Sequence, residues 1–167
     1  MSFLFLIGSD QREHYLSKYL DLGNNYDYLN VKFGISAISS EYITFDYFES
    51  FVLNGPLKTE NKIRQIVENF SIKFIVFPNL FYELSNIFLN ELSKKNIRLI
   101  MVNFDDSNRF DSYIKCFLGE IDAIVTHESI NSEKYYKNFE NVSFFPLYPS
   151  KTLTKMILEK VPKRNKL

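Results

Sequence analysis

Asp105 and Asp106 stand side by side, directly behind the apolar run Ile97-Arg98-Leu99-Ile100-Met101-Val102-Asn103-Phe104. Adjacent carboxylates repel each other, which raises one pKa and suits that group to proton transfer. The same pair suits a divalent cation or the hydroxyls of a sugar. The competing role is local: Asp106 or Ser107 as N-cap of a helix beginning near Phe110. A second ionisable pair, His127-Glu128, follows Thr126 behind the apolar run 121–125. His127 there is placed to act as a general base with Glu128 orienting it, or else to sit as an ordinary hydrogen-bonded loop histidine. Gly8-Ser9-Asp10 and Pro78-Asn79 close two more apolar runs. Gly8 stands alone, with no G-x-G-x-x-G and no G-K-S/T behind it, so neither a dinucleotide fingerprint nor a P-loop is present. Ser9 or Asp10 reads as an N-cap, or as part of a ligand site in which Asp10 disfavours an anion.

These groups need elements that bring them together. A run without alternation, such as 97–104, reads as a strand buried on both faces, the kind found inside parallel sheets. Phe3-Leu4-Phe5-Leu6-Ile7, Phe74-Ile75-Val76-Phe77, the run 121–125 and Val142-Ser143-Phe144-Phe145 read as further strands. Weaker strand signals lie at 30–33 and 42–45. Between them, apolar residues recur at helical spacing: Tyr15, Leu16, Tyr19 and Leu20; Ile63, Ile66, Val67 and Phe70; Leu84, Ile87, Phe88 and Leu92; Phe110, Tyr113, Ile114 and Phe117; Ile130, Tyr135, Tyr136 and Phe139. Strands alternating with helices predict an α/β fold, a three-layer Rossmann-like domain with a mostly parallel sheet. In such a sheet the ligand crevice lies outside the carboxyl ends of the strands. The expected site therefore collects Gly8, Ser9, Asp10, Asn79, Asp105, Asp106, Ser107, Thr126, His127 and Glu128.

The chain has 167 residues, with 20 basic and 20 acidic side chains. That length suits one domain, and a net charge of zero argues against a nucleic-acid partner. The charge is uneven: residues 151–167 hold six basic groups against the single acid Glu159. The expected division is a Rossmann-like domain over 1–150 and a basic amphipathic helix or linker over 151–167, with Leu153, Met156, Ile157 and Val161 as its apolar stripe. That stripe would fold back on the sheet, meet a second domain or pair two copies into a homodimer. Cys116 is the only cysteine, so no internal disulfide forms, and it reads as a buried, inert thiol in mid-helix. No Cys/His cluster and no third acidic ligand has metal spacing, so neither metal nor cofactor is expected. No apolar run reaches a membrane span and no signal peptide is legible, so the expected location is cytoplasmic.

Taken in order, Asn103-Phe104-Asp105-Asp106-Ser107, Ile121-Asp122-Ala123-Ile124-Val125-Thr126, Glu133-Lys134-Tyr135-Tyr136-Lys137 and Asn141-Val142-Ser143-Phe144-Phe145-Pro146-Leu147 form a succession. It resembles the amino-terminal half of two-domain GT-B glycosyltransferases, nearest the CgeB-like spore-maturation group, over about residues 70–150. The resemblance implies an acceptor-side domain in which Asp105, Asp106 and His127 face a sugar acceptor. That family's second, sugar-nucleotide-binding domain has no counterpart in this sequence, and Ser107 stands where a proline is common. The expectation is therefore a domain inactive alone, working with a separate donor-binding domain or chain. The alternative is a Rossmann-like module that binds a small ligand or a protein without chemistry. A flavodoxin-like or receiver-like domain is a third option, opposed by an Asp pair that follows a late strand instead of the first.

Overall fold

The computed structural model describes residues 3–7, 42–78, 84–103, 110–112, 114–126 and 135–144. Six strands form one sheet: β1 (Phe3–Ile7), β2 (Tyr42–Asp46), β3 (Phe74–Pro78), β4 (Arg98–Asn103), β5 (Ala123–Thr126) and β6 (Val142–Phe144). Every pairing is parallel and the order is β2-β1-β3-β4-β5-β6. The α/β class with a Rossmann-like parallel sheet is thus the observed architecture. Three helices are described: α1 (Tyr47–Asn54), α2 (Pro56–Phe70) and α3 (Asn86–Lys94).

One face of the sheet carries the core. Leu4 and Leu6, Ile75 and Phe77, Leu99 and Met101, and Ile124 all point to it. Ile63 and Val67 of α2 and Phe88, Leu89 and Leu92 of α3 cover them, with Phe110, Ile114, Phe117 and Ile121 over β4 and β5. The residues between these on each strand face the other way and are only half-buried, except Phe5. There Phe3 stacks on Phe74 at 4.9 Å, and Phe5 meets Tyr42 edge-on at 6.2 Å. The expectation that 97–104 is buried on both faces is corrected accordingly. β4 sits in the sheet interior, but Leu99, Met101 and Asn103 are buried while Ile100 and Val102 are half-buried and Arg98 is exposed.

Other local features differ from the sequence reading. A helix that the apolar periodicity does not announce, α1, follows β2 without a break. Its signal is a cap: Asp46 Oδ1 accepts the Glu49 N–H at 2.9 Å, with Glu49 at the third helical position. The expected helix through Phe110 and Phe117 is, over 114–120, two short 3₁₀ turns, Ile114–Cys116 and Leu118–Glu120, with helix-weakening Gly119 inside the second. Phe110, Ile114 and Phe117 still face the core, but Cys116 falls on the outer side and is exposed, not buried. Ile87 and Phe70, expected on inward helix faces, are 83% and 55% exposed. The inward stripe of α3 is Phe88, Leu89 and Leu92, and Phe70 overhangs the end of α2, where Ser71 turns left-handed.

The helix corners are fixed by polar contacts. Gly55 joins α1 to α2 at φ 79° and ψ 171°, a conformation essentially restricted to glycine. Its N–H closes α1 on the Phe51 carbonyl at 2.8 Å, and Pro56 opens α2 where no N–H is needed. Beneath this corner the buried Thr59 hydroxyl lies 3.0 Å from both Ser50 Oγ and the Gly55 carbonyl. From α2 to α3, Arg64 makes a bidentate pair with Glu91, its Nη2 at 2.8 Å from Oε2, and lies over the Phe88 ring. Glu60, 4% exposed, accepts the Ser85 N–H at 2.9 Å at the head of α3.

Candidate functional site

Parallel pairing in register sets the carboxyl ends of the strands at one level. Ile7 lies opposite Asp46, Val102 opposite Pro78, Asn103 opposite Thr126, and Thr126 opposite Phe144. The order reverses at β1: the chain steps from β1 to β2 on one side, then returns to β3 on the other. This switch point is where open α/β sheets form their ligand crevice. From the end of β1 across β3 and β4 to that of β5 is three strand spacings, about 14 Å.

The described residues of this edge are polar where the core demands otherwise. Asn103 is buried at the end of β4, and its Nδ2 donates to the Tyr136 hydroxyl at 2.8 Å. Tyr136 packs edge-on against Phe110 at 5.3 Å, and Phe110 stacks on Tyr135 at 4.7 Å. Thr126 is fully buried beside Asn103. A polar pair thus seals the ends of β4 and β5 and fixes the strand roots from which 104–109 and 127–134 depart. On the other side of the switch point, Asp46 ends β2 with its carboxylate already serving as the cap of α1. Ser85 Oγ does the same for α3, accepting the Phe88 N–H at 3.2 Å. Each of these two helix starts therefore commits one of its free N–H groups to its own capping side chain.

Of the residues expected at the site, Thr126 is described. Gly8, Ser9, Asp10, Asn79, Asp105, Asp106, Ser107, His127 and Glu128 lie outside the described residues. The strands that precede them, β1, β3, β4 and β5, are consecutive neighbours in the sheet. Sequence reasoning did not single out Tyr136 as the partner of Asn103. Its one signal is the Tyr135-Tyr136 pair, in which only Tyr136 is fully buried.

At the opposite, amino-terminal edge, Asp122 ties β4 to β5: one carboxylate oxygen accepts the Leu99 N–H at 2.9 Å and the other pairs with Arg98. Asn141 donates to the Asp122 carbonyl at 2.9 Å and so brings β6 into register. Among the described residues, titration is perturbed between α2 and α3. Hydrogen bonding to Glu91 holds Arg64 above its ordinary pKa, and the same bond holds Glu91 below the usual carboxylate range. Among the described residues no three Cys, His, Asp or Glu side chains lie together as metal ligands would, and no described helix is long and apolar enough to cross a membrane. Comparison with family models, with curated proteins and with solved structures finds no match to this chain.

Proposed function

We propose that this chain is the acceptor-side domain of a glycosyltransferase-like protein, binding sugar hydroxyls at the carboxyl edge of its sheet and inactive without a donor-binding domain or chain. The observation that carries this reading is the reversal of strand order at β1, with the ends of β1, β3, β4 and β5 side by side. Directly behind those ends the sequence supplies acceptors matched to hydroxyl groups: Ser9 and Asp10, Asn79, Asp105 and Asp106, His127 and Glu128. In this reading Asp105 or Asp106, or His127 steadied by Glu128, takes the proton from the acceptor hydroxyl as it attacks a donor held elsewhere. The resemblance of the motif succession supports the sugar assignment, and the single cysteine suits a cytoplasmic setting.

The test is a pair of measurements on the purified chain. Sugar-nucleotide turnover is expected to be undetectable. NMR titration with acceptor sugars is expected to shift the amides of Asn103 and Thr126, and Asp106→Ala is expected to weaken that binding. Turnover that Asp106→Ala abolishes would overturn the claim of inactivity.

A second reading, a non-catalytic ligand-binding or protein-interaction module, draws on a different observation. The order β2-β1-β3-β4-β5 is the flavodoxin-like winding, and the described polar groups of the edge serve internal bonds. Shifts at the same amides with a non-sugar ligand, and none with sugars, would favour it.

A further inference from the structure

We propose that the corner between α1 and α2 is a membrane-surface element, in which Val52, Leu53 and Leu57 enter the interface of an anionic bilayer and Lys58 and Lys62 hold its phosphate headgroups. Val52 is 64%, Leu53 72% and Leu57 74% exposed, and Pro56 beside them is exposed as well. A single exposed aliphatic residue is ordinary, but here four apolar residues out of six consecutive ones are turned to solvent at one place.

The corner is a tip and not a groove. A Cβ on Gly55, at its centre, would meet nothing within 4 Å. Beneath it the Thr59 hydroxyl contacts Ser50 and the Gly55 carbonyl, so the tip is held in shape before anything binds. α2 has 15 residues, about 22 Å, against about 17 Å for the five-residue β3 that it leads into. It runs from the carboxyl edge of the sheet back to the amino-terminal edge, so its first turn overhangs the carboxyl edge.

The charge beside the tip is positive. Lys58 and Lys62 are exposed and stand four residues apart on one face of α2. The first turn of α2 holds no acid and no side-chain cap. Glu60 is turned inward onto the Ser85 N–H, and Asp46 and Glu49 lie at the far end of α1. Shape, area and charge together select a lipid surface over a protein. Three aliphatic side chains and a proline fall well short of the roughly 800 Å² per partner of a standard protein interface. A second copy placed on a two-fold axis through the tip would set Lys58 and Lys62 against their own counterparts. A bilayer takes a small apolar tip to a depth of about 5–10 Å, and its anionic headgroups meet the lysines. No described helix crosses a membrane, so the contact is one of surface seating. It does not depend on the sugar reading.

The chain has no tryptophan, so Leu53→Trp introduces a single reporter at the tip. In the full-length protein its emission is expected to shift to the blue, and to be quenched by brominated lipid, with vesicles of phosphatidylcholine mixed with phosphatidylglycerol. Phosphatidylcholine alone is expected to leave it unchanged. Co-sedimentation of the unsubstituted chain is expected to follow the same lipid dependence and to weaken with salt. Combining Leu53→Ser with Leu57→Ser is expected to weaken vesicle binding by roughly tenfold or more. Combining Lys58→Glu with Lys62→Glu is expected to remove the preference for phosphatidylglycerol. Both double variants should keep the urea midpoint, because the substituted side chains are exposed. Vesicle binding that survives the double serine variant would overturn the proposal, since another segment would then hold the lipid. Absence of vesicle binding by the unsubstituted chain would overturn it as well. Self-association that the serine variant abolishes, without vesicle binding, would overturn it in favour of a protein interface.

Discussion

The Asn103–Tyr136 hydrogen bond is the most consequential single contact near the candidate site, because it is buried and because it ties the end of β4 to the segment between β5 and β6. A buried hydrogen bond contributes about 1 kcal/mol net, and stranding its partner costs about 1–3 kcal/mol. Tyr136→Phe keeps the ring against Phe110 and removes only the hydroxyl, so a loss in this range is expected in urea unfolding, together with amide shift changes at Asn103 and Thr126. An unchanged midpoint would show that the hydroxyl is not needed to seal this edge. Gly55 is the second residue whose identity is fixed by physics. A Cβ there would meet nothing within 4 Å, so space is not the constraint. Backbone strain at positive φ is, and Gly55→Ala is expected to cost about 1–3 kcal/mol through strain alone. A neutral or stabilising result would mean that the α1–α2 corner relaxes to another geometry.

Between elements, burial and charge decide different things. Leu99 is fully buried under the helices, whereas its neighbour Ile100 looks onto the half-covered face. Leu99→Ala is expected to cost about 2–5 kcal/mol and Ile100→Ala distinctly less. Equal losses, measured by denaturant midpoints, would mean that both faces are equally packed. The Arg64–Glu91 strap works through charge, and its sign in pH follows from the depressed Glu91 pKa. A carboxyl whose folded pKa lies below its unfolded value stabilises fully above the unfolded value and loses that contribution as pH falls through the folded one. Both side chains are partly exposed, so a double-mutant cycle on Arg64→Ala and Glu91→Gln is expected to give about 0.5–1 kcal/mol near neutrality, shrinking in acid and in high salt. A coupling that grows as pH falls would contradict the assignment. Five of the strands, α2 and α3 were legible in the sequence from apolar runs and helical apolar spacing, whereas β2 gave only a weak signal at 42–45. The α1 helix was not, since Tyr47, Phe48, Phe51 and Val52 have poor helix propensity and only the Asp46–Glu49 cap marks it. The two-sided burial of 97–104 was over-read because an apolar run records what a strand can bury, while the number of layers is set by topology. For the candidate site, sequence named the loops but could not name Tyr136, whose contact with Asn103 spans 33 residues.

Across the whole molecule, the sheet is the rigid body on which everything else is hung, and its order predicts how rigidity is distributed. β3 and β4 each have strands on both sides with further strands beyond, and both contribute to the core. β2 and β6 are edges, and β6 pairs through three residues to one partner. The segments proposed to bind ligand follow β1, β3, β4 and β5, the four inner strands, and none of them depends on an edge strand for its root. Binding groups on loops rooted in the least yielding part of a scaffold lose little freedom when the ligand arrives. Native-state amide exchange should therefore grade across the sheet: slowest at Ile75–Phe77 and Leu99–Met101, where exchange requires global unfolding, intermediate in β1 and β5, and fastest in β2 and β6 through local opening. If the amides of β6 or β2 exchanged as slowly as those of β4, the edges would be held by additional cover and the gradient would be absent. If β4 exchanged fastest, the sheet would not be the stable unit on which the proposed crevice depends.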